Sequence, residues 1–198
     1  MDQHFITLTV NGDSHRVPVA VQDTLVDVLR NKLGLMGTKR GCTSGSCGVC
    51  TIQGEDGRAV LSCLALAIEW DGRSLTTIEG VATPAGLHPV QQAFLEFGAV
   101  QCGACTPGLI MTAKALLEKN PSPDEAAINE ALAGAICRCT GHIKVKEAVR
   151  QSIRRMAATT TAPWAEAQRV GAEIDAEASR TSNPIGETMI PGLVVPHR

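Results

Sequence analysis

Eight cysteines are the residues of this 198-residue chain whose type and spacing could do chemistry. They fall into two groups of four, which are Cys42, Cys47, Cys50 and Cys63, and then Cys102, Cys105, Cys137 and Cys139. The N-terminal segment has neither the basic region nor the apolar run of a signal peptide. Because cytosolic thiols stay reduced, clustered cysteines in such a chain indicate metal binding rather than a disulfide framework.

The first group has the spacing C-x4-C-x2-C, with a fourth cysteine after twelve intervening residues. This spacing is the plant-type pattern for a [2Fe–2S] cluster, in which one loop supplies three thiolates. The loop must come close to the cluster, and Gly41, Gly45 and Gly48 are positions without side-chain bulk. Backbone N–H groups of such a loop can donate to the sulfurs and stabilise an anionic cluster. Cys63, after a predicted hairpin, completes the four ligands.

The second group consists of a C-x2-C pair and a C-x-C pair, with thirty-one residues between them. Each pair precedes a predicted helix, one from Pro107 and the other from Ile143. Helix N-termini offer free N–H groups and a partial positive charge, which suit an anionic cluster. The pattern therefore predicts a second [2Fe–2S] cluster between two helix starts. Arg138 either adds a positive charge that raises the potential of this cluster or is an ordinary surface arginine.

Two other interpretations of the cysteines are open at this point. Structural zinc sites combine C-x2-C pairs that are separated by about 15–20 residues. Here the pairs Cys47/Cys50 and Cys102/Cys105 are much farther apart. A disulfide between Cys137 and Cys139 would close a strained small ring. The spacing favours two [2Fe–2S] clusters, and zinc is the main alternative.

The composition is that of a folded protein with a hydrophobic core. Hydrophobic residues make up 44% of the chain, charged residues 19%, and the formal net charge is −2. These values give no sign of disorder or of a nucleic-acid partner. No segment approaches the roughly 20 apolar residues of a membrane span. We expect a cytoplasmic protein, or one that is exported together with a partner carrying the signal.

The N-terminal half shows the pattern of an α+β domain, which we place at residues 1–80. Side chains alternate over residues 5–10, Asn11 and Gly12 suit a type I′ turn, and residues 16–21 return as a second strand. A helix over residues 24–33 follows, with Asp23 or Thr24 as its cap and Gly34 at its end. Further short strands are predicted at residues 49–53, 58–61 and 75–79.

After a linker at residues 83–86 the pattern becomes helical. Helices at residues 88–97 and 107–119, another that opens at Ser122, and a last one at 143–156 predict a four-helix bundle. We place this second domain at residues 81–156. Ser122 is the predicted cap of the third helix, Pro123 its first residue and Glu125 its capping-box partner.

Residues 157–198 form a C-terminal extension that belongs to neither pattern. Residues 164–178 could form a helix that Gly171 weakens, and residues 189–195 are an apolar segment with Pro191 inside it. Such a tail has too few local partners to fold alone. We expect it either to lie along a partner subunit or to pack on this chain or stay mobile.

The motifs around the cysteines match a known family. They read GCTSGSCGVCT at residues 41–51, QCGACTPG at 101–108 and CRCTG at 137–141. They closely resemble the [2Fe–2S] iron–sulfur small subunit of the xanthine oxidase family of molybdenum hydroxylases. The resemblance covers about residues 4 to 155, and two distinct cysteine spacings make it specific.

The resemblance implies an N-terminal plant-ferredoxin-like β-grasp domain and a C-terminal four-helix bundle. It also implies an oxidoreductase subunit without catalytic residues of its own, because substrate is hydroxylated at a molybdopterin cofactor on a large partner subunit. Electrons would pass through the bundle cluster and then the ferredoxin-like cluster to FAD on a third subunit, or to the haem of a cytochrome c subunit. In the family the glutamine of QCG and the last cysteine of C-x-C lie beside the pterin, which implies this role for Gln101 and Cys139.

Two positions depart from the family pattern. Ala104 stands where the family usually has an aromatic residue, and His142 stands where it usually has tyrosine. Both changes would alter packing around the bundle cluster rather than its ligation, and a lone histidine is more often structural than a ligand. The extension beyond residue 157 exceeds the usual small subunit and leaves the subunit arrangement open.

The runner-up function is a stand-alone two-cluster ferredoxin that docks transiently on its partners, and a structural zinc protein is third. The apolar tail and the Gln101 motif argue against the free ferredoxin. Relatives oxidise aldehydes, N-heterocycles or carbon monoxide, and their specificity lies on the large subunit.

Overall fold

The computed structural model describes residues 4–83 and 86–161, with side chains as far as residue 157. The strands in chain order are β1 (His4–Val10), β2 (Asp13–Val19), β3 (Thr51–Gly54), β4 (Ala59–Leu61) and β5 (Ser74–Thr76). The helices are α1 (Leu25–Asp27), which continues as a π-helical turn Val28–Lys32, then α2 (Pro89–Glu96), α3 (Thr106–Lys119), α4 (Glu125–Ala133) and α5 (Ile143–Thr161). Short 3₁₀ turns lie at Ala67–Trp70 and Ile78–Gly80.

The five strands form one mixed sheet in the order β2-β1-β5-β3-β4. Strands β1 and β2 form an antiparallel hairpin, and β1 pairs in parallel with β5. The hairpin turns at Asn11 and Gly12, whose φ angles of 56° and 95° are both positive, as a type I′ turn requires. Leu25 and Leu29 of the first helical segment are completely buried with the strands in one core.

The predicted elements of this half are present, but several boundaries were wrong. Strand β2 begins at Asp13 rather than at residue 16, because pairing continues to the tip of the hairpin, where Asp13 lies opposite Val10. The helix predicted over residues 24–33 is one α-helical turn followed by a π-helical turn, although Gly34 with φ 71° follows its end as expected. Thr24 stands at the N-cap, but its side chain makes no cap hydrogen bond.

The strand predicted over residues 75–79 stops at Thr76. The side chain of Asn11 explains the change, because its Oδ1 accepts a 2.8 Å hydrogen bond from the Thr77 N–H and its Nδ2 donates to Thr77 Oγ1 over 3.0 Å. These side-chain bonds take the place of hydrogen bonds to a neighbouring strand, so the strand ends and the chain continues as the 3₁₀ turn at Ile78–Gly80.

Helices α2 to α5 form the predicted bundle. Helix α2 begins with a capping box in which His88 Nδ1 accepts from the Val90 N–H and Gln91 Oε1 accepts from the His88 N–H. The cap predicted for α4 was wrong, because Asp124 rather than Ser122 accepts the N–H of Ala127. Helix α5 runs five residues beyond the predicted end and reaches Thr161.

Two large buried clusters hold this α+β fold together, one in the sheet and one in the bundle, as predicted. The bundle core also includes Val49, which comes from the first cysteine loop. No helix of the described part of the chain is both long and apolar enough to cross a membrane. The helix expected at residues 164–178 and the apolar segment at 189–195 lie outside the described residues.

Candidate functional site

The first three cysteines lie on an irregular loop between the π-helical turn and β3. Gly45 and Gly48 have φ angles of 76° and 67°, which L side chains rarely adopt. A Cβ on Gly41 would lie 3.0 Å from the Cys47 sulfur, and one on Gly45 would lie 2.6 Å from the Leu64 side chain. The loop is therefore folded tightly around its own sulfurs, as the glycine pattern predicts.

The four thiols of this first site approach one another in two pairs, Cys42 with Cys47 and Cys50 with Cys63. The Cys47 thiol and then the N–H groups of Ser44 and Cys47 donate to Cys42 and lower its pKa to about 6. Burial raises the pKa of Cys47, and burial followed by the Cys50 thiol raises the pKa of Cys63 to about 11. The buried thiolates thus need a compensating positive charge, which bound iron ions would provide.

The second site joins two segments of the bundle. Cys105 is the N-cap residue of α3, and the Cys137/Cys139 segment precedes α5, so both cysteine pairs stand at helix starts. The thiols again meet in pairs, Cys102 with Cys139 and Cys105 with Cys137. Each pair takes one cysteine from each segment, so the site forms only when the bundle is folded.

Burial and hydrogen bonding act in opposite directions on the thiols of the second site. Burial raises the pKa of Cys105 to about 12. Burial also acts to raise the pKa of Cys137. Hydrogen bonds outweigh this effect and lower the pKa to about 7, and their donors are the hydroxyl and N–H of Thr140 and the Cys105 thiol. A cation at this site would again stabilise the charged form of the buried sulfur.

The paired arrangement fits a two-iron cluster. A structural zinc ion needs four donors around a single centre. A [2Fe–2S] cluster shares four ligands between two irons, so two pairs of thiols are the arrangement that it needs.

The two sites are connected through backbone contacts. The N–H of Ile136, next to Cys137, donates a 2.9 Å hydrogen bond to the carbonyl of Cys47. A Cβ on Gly48 would lie 2.2 Å from the carbonyl oxygen of Gly134, and a Cβ on Gly108 would lie 2.6 Å from that of Gly48. Only glycine permits these close approaches. We call the contacts of residues 47–48 with Gly108 and with residues 134–136 the glycine junction.

A polar network holds the same two parts together farther from the cysteines. Lys114 Nζ donates to Gln53 Oε1 and to Glu118 Oε1, both over 2.6 Å. Gln53, only 4% exposed, also donates to Glu118 and to the carbonyl of Gly57. The sequence did not identify these residues, because an isolated glutamine in β3 and a Lys–Glu pair on α3 carry no motif.

The two sites differ in exposure. Cys50 and Cys63 are buried, whereas Cys102 and Cys139 are exposed. Gln101 is exposed beside Cys102, and Arg138 and Ala104 are exposed as well. The edge of the second site also bears two large apolar side chains, Ile136 at 61% and Ile143 at 75% exposure. His142 is half-buried, and its backbone has a positive φ of 66°.

Two family models match this chain. The 2Fe-2S iron-sulfur cluster binding domain matches residues 8–73, and the [2Fe-2S] binding domain matches residues 77–150. The nicotinate dehydrogenase small FeS subunit of Eubacterium barkeri is 45% identical over 157 residues, covering 79% of this chain and 99% of that protein. The chain belongs to the iron–sulfur small subunits of the xanthine oxidase family of molybdenum hydroxylases.

Other relatives of this iron–sulfur small subunit agree. The nicotine 6-hydroxylase small subunit of Paenarthrobacter nicotinovorans is 49% identical and covers 75% of this chain, which spans 88% of that protein. A chain of quinoline 2-oxidoreductase from Pseudomonas putida 86 matches with a TM-score of 0.74 and 37% identity, over 78% of this chain and 96% of that chain. The aldehyde oxidoreductase of Desulfovibrio desulfuricans matches with a TM-score of 0.73 and 41% identity, over 77% of this chain and 17% of that longer chain.

Membership of this family makes the chain an oxidoreductase component with two [2Fe–2S]-binding domains. The assignment of individual cysteines as ligands stays a prediction, as does the role of Gln101.

Proposed function

We propose that this chain transfers electrons from a molybdopterin centre on a large partner subunit to the acceptor of the complex. Cys42, Cys47, Cys50 and Cys63 would hold the ferredoxin-like cluster, and Cys102, Cys105, Cys137 and Cys139 the bundle cluster. Each [2Fe–2S] cluster, when bound, takes up and releases electrons. Substrate oxidation would take place on the large subunit.

The observation that carries this proposal is the hydrogen bond from Ile136 N–H to the Cys47 carbonyl at the glycine junction. Cys47 belongs to one predicted ligand set, and Ile136 is covalently attached to Cys137 of the other. Electronic coupling between two redox centres decreases steeply with the distance between them. The decrease per ångström is smaller along covalent and hydrogen bonds than across a gap. This bond therefore gives the two sites a short connection, which a two-cluster electron carrier needs.

The exposed edge of the bundle site suits a large partner. Gln101, Cys102 and Cys139 are accessible there, and Ile136 and Ile143 offer apolar surface beside them. Exposed apolar side chains around a functional group are typical of protein interaction sites. We infer that the molybdopterin-binding subunit covers this edge and that Gln101 and Cys139 lie near its pterin.

The ferredoxin-like site would then face the electron acceptor, either FAD on a third subunit or the haem of a cytochrome c subunit. We place the complex in the cytoplasm, because eight unpaired cysteines suit a reducing compartment. We propose a first domain at residues 1–80, a second at 81–156 and a C-terminal extension at 157–198. The extension begins inside α5, which reaches Thr161, and its remainder would lie along a partner subunit.

Affinity purification of the tagged full-length chain from its native host tests this proposal. Metal analysis of the purified complex should give about four Fe per chain, as two [2Fe–2S] clusters require, together with about one Mo and a large co-purifying subunit. A complex with iron but without molybdenum or a large subunit would favour the stand-alone ferredoxin. Zinc in place of iron would contradict both functions.

The substrate can be sought in the same preparation. The relatives named above are enzymes of nicotinate, nicotine, quinoline and aldehyde oxidation. Assays of the purified complex with nicotinate, quinoline and an aromatic aldehyde, using an artificial electron acceptor, would separate N-heterocycle oxidation from aldehyde oxidation.

A further inference from the structure

Thr140 makes two hydrogen bonds to one sulfur of the bundle site. Its N–H donates to the Cys137 Sγ over 3.4 Å, and its Oγ1 lies 3.1 Å from the same sulfur. A cysteine that ligates iron is a thiolate, which has no proton to donate. With Cys137 bound to iron, the Thr140 hydroxyl is therefore the donor.

The backbone beyond Thr140 orients this hydroxyl. The His142 N–H donates to Thr140 Oγ1 over 3.2 Å, so it occupies a lone pair of the oxygen and leaves the hydroxyl hydrogen for the sulfur. Positive φ angles at Gly141 (55°) and His142 (66°) form the turn that brings this N–H into place. A positive φ is uncommon for residues other than glycine, although histidine adopts it more readily than most, so this turn has a specific backbone conformation.

Hydroxyl groups near the ferredoxin-like cysteines are used differently. Thr51 Oγ1 donates to the Gly48 carbonyl, and Ser62 Oγ donates to the Cys50 carbonyl, both over 2.7 Å. These two hydroxyls stabilise the backbone around the first site rather than a sulfur. The contact between Thr140 and Cys137 therefore gives the bundle site a charge-stabilising group of its own.

We propose that Thr140 is a positioning residue whose hydroxyl raises the midpoint potential of the bundle cluster. The inference rests on the proposed function, because it takes Cys137 as an iron ligand. Reduction adds one electron, and a hydrogen bond to a ligand sulfur stabilises the additional negative charge. The hydroxyl keeps its proton and no covalent bond changes, so the effect is purely electrostatic.

The test is a potentiometric titration of the full-length chain with dithionite, followed by EPR of both clusters. Thr140→Val removes the hydroxyl at nearly constant volume, and Thr140→Ser retains it. At the potential where half of the native bundle cluster is reduced, the valine variant should have an oxidised-to-reduced ratio about fivefold higher. This is the size of one ordinary hydrogen bond, because the bond exists in both oxidation states and only its difference in strength between them counts. Thr140→Ser should titrate like the native protein, and the ferredoxin-like cluster should not shift in either variant.

An unchanged bundle-cluster midpoint in Thr140→Val would overturn the inference, and so would an equal shift of both clusters. If the valine variant retains no bundle cluster, Thr140→Ala is compared with Thr140→Ser by the same criterion. The proposed function fails separately, because a native chain without two EPR signals would contradict the cluster assignment before any variant is made.

Discussion

The two cysteine sites each bring four thiols together in two pairs, but the surroundings of the two sites differ. The ferredoxin-like site is formed by one glycine-rich loop and Cys63, and its chain neighbours bury Cys50 and Cys63. The bundle site is formed by two separate helix starts, and it leaves Cys102 and Cys139 exposed. The first site therefore has two fully buried ligand positions and two partly exposed ones, whereas the bundle site has two fully exposed positions at an edge that a partner can cover.

The sites also differ in how their sulfurs are stabilised. Backbone N–H groups of the loop donate to Cys42, whereas Cys137 receives the hydroxyl of Thr140 in addition to a backbone N–H. Both sites thus use backbone N–H donors, and the bundle site adds a side-chain hydroxyl at Cys137.

The largest expected effect tests whether the two sites are independent. Cys42→Ser should abolish the ferredoxin-like EPR signal and largely preserve the bundle signal, because no cysteine is shared between the two sets. Iron should fall from about four to about two per chain. Ser44→Ala is the matched control in the same loop and should retain both signals. Loss of both signals in Cys42→Ser would show that the two sites fold as one unit.

The next prediction concerns the glycine junction between the sites. Gly48 and Gly72 have similar φ angles of 67° and 74°, but a Cβ would meet the Gly134 carbonyl only at Gly48, and nothing lies within 4 Å at Gly72. Gly72→Ala should cost about 1 kcal/mol of unfolding free energy from backbone conformation alone. Gly48→Ala should cost about 2 kcal/mol more because of the clash.

Chemical denaturation of both glycine variants measures these costs, and electron exchange between the clusters provides a second readout. The exchange rate should fall in Gly48→Ala and remain native in Gly72→Ala. Equal destabilisation by both substitutions would mean that the junction can relax and does not fix the distance between the sites.

A smaller effect is expected in the polar network that joins β3 to α3. Burial acts to raise the pKa of Glu118, but hydrogen bonds from Lys114 and Gln53 outweigh it and lower the pKa below 4.5. A carboxyl group whose pKa is lowered by folding stabilises the folded state at pH values above its pKa in the unfolded chain. This stability is lost as the pH falls through its pKa in the folded state. The contribution should be no more than about 1 kcal/mol, because the carboxylate is partly exposed to water.

Denaturation midpoints between pH 7 and pH 3 measure this contribution. Glu118→Gln should have lower stability than the native chain at pH 7, and the difference should shrink below pH 4.5, the ordinary value for glutamate. If the stability difference between the two proteins stays constant with pH, the charge of Glu118 does not stabilise the contact between β3 and α3.

The smallest effect is expected on the surface of the bundle, at the ion pair of Arg150 with Glu125. Both side chains are exposed, so Arg150→Gln should lower the melting temperature only slightly at low ionic strength and not at high salt. Both EPR signals should be unaffected. A large loss of the bundle cluster in this variant would mean that the surface ion pair, rather than the buried side chains of α5, holds this helix in position.

The alternating and helical patterns predicted the fold class, and the cysteine spacing and glycine positions predicted the two cysteine groups and the tight first loop, because those signals are local. The cap of α4 was predicted at Ser122 and lies at Asp124, since several polar residues in a row can each cap a helix. The end of the strand at Thr76 depends on Asn11, sixty-six residues from Thr77 in the chain, and a single sequence carries no signal for that pairing. The glycine junction was missed for the same reason, although Gly48 and Gly108 lie inside the recognised motifs.

The most direct test of the central claim is iron analysis of the purified full-length chain together with EPR of its dithionite-reduced form. We predict about four irons per chain and two distinguishable [2Fe–2S] signals of equal intensity. About two irons with a single signal, or zinc in place of iron, would contradict the assignment of all eight cysteines to two clusters.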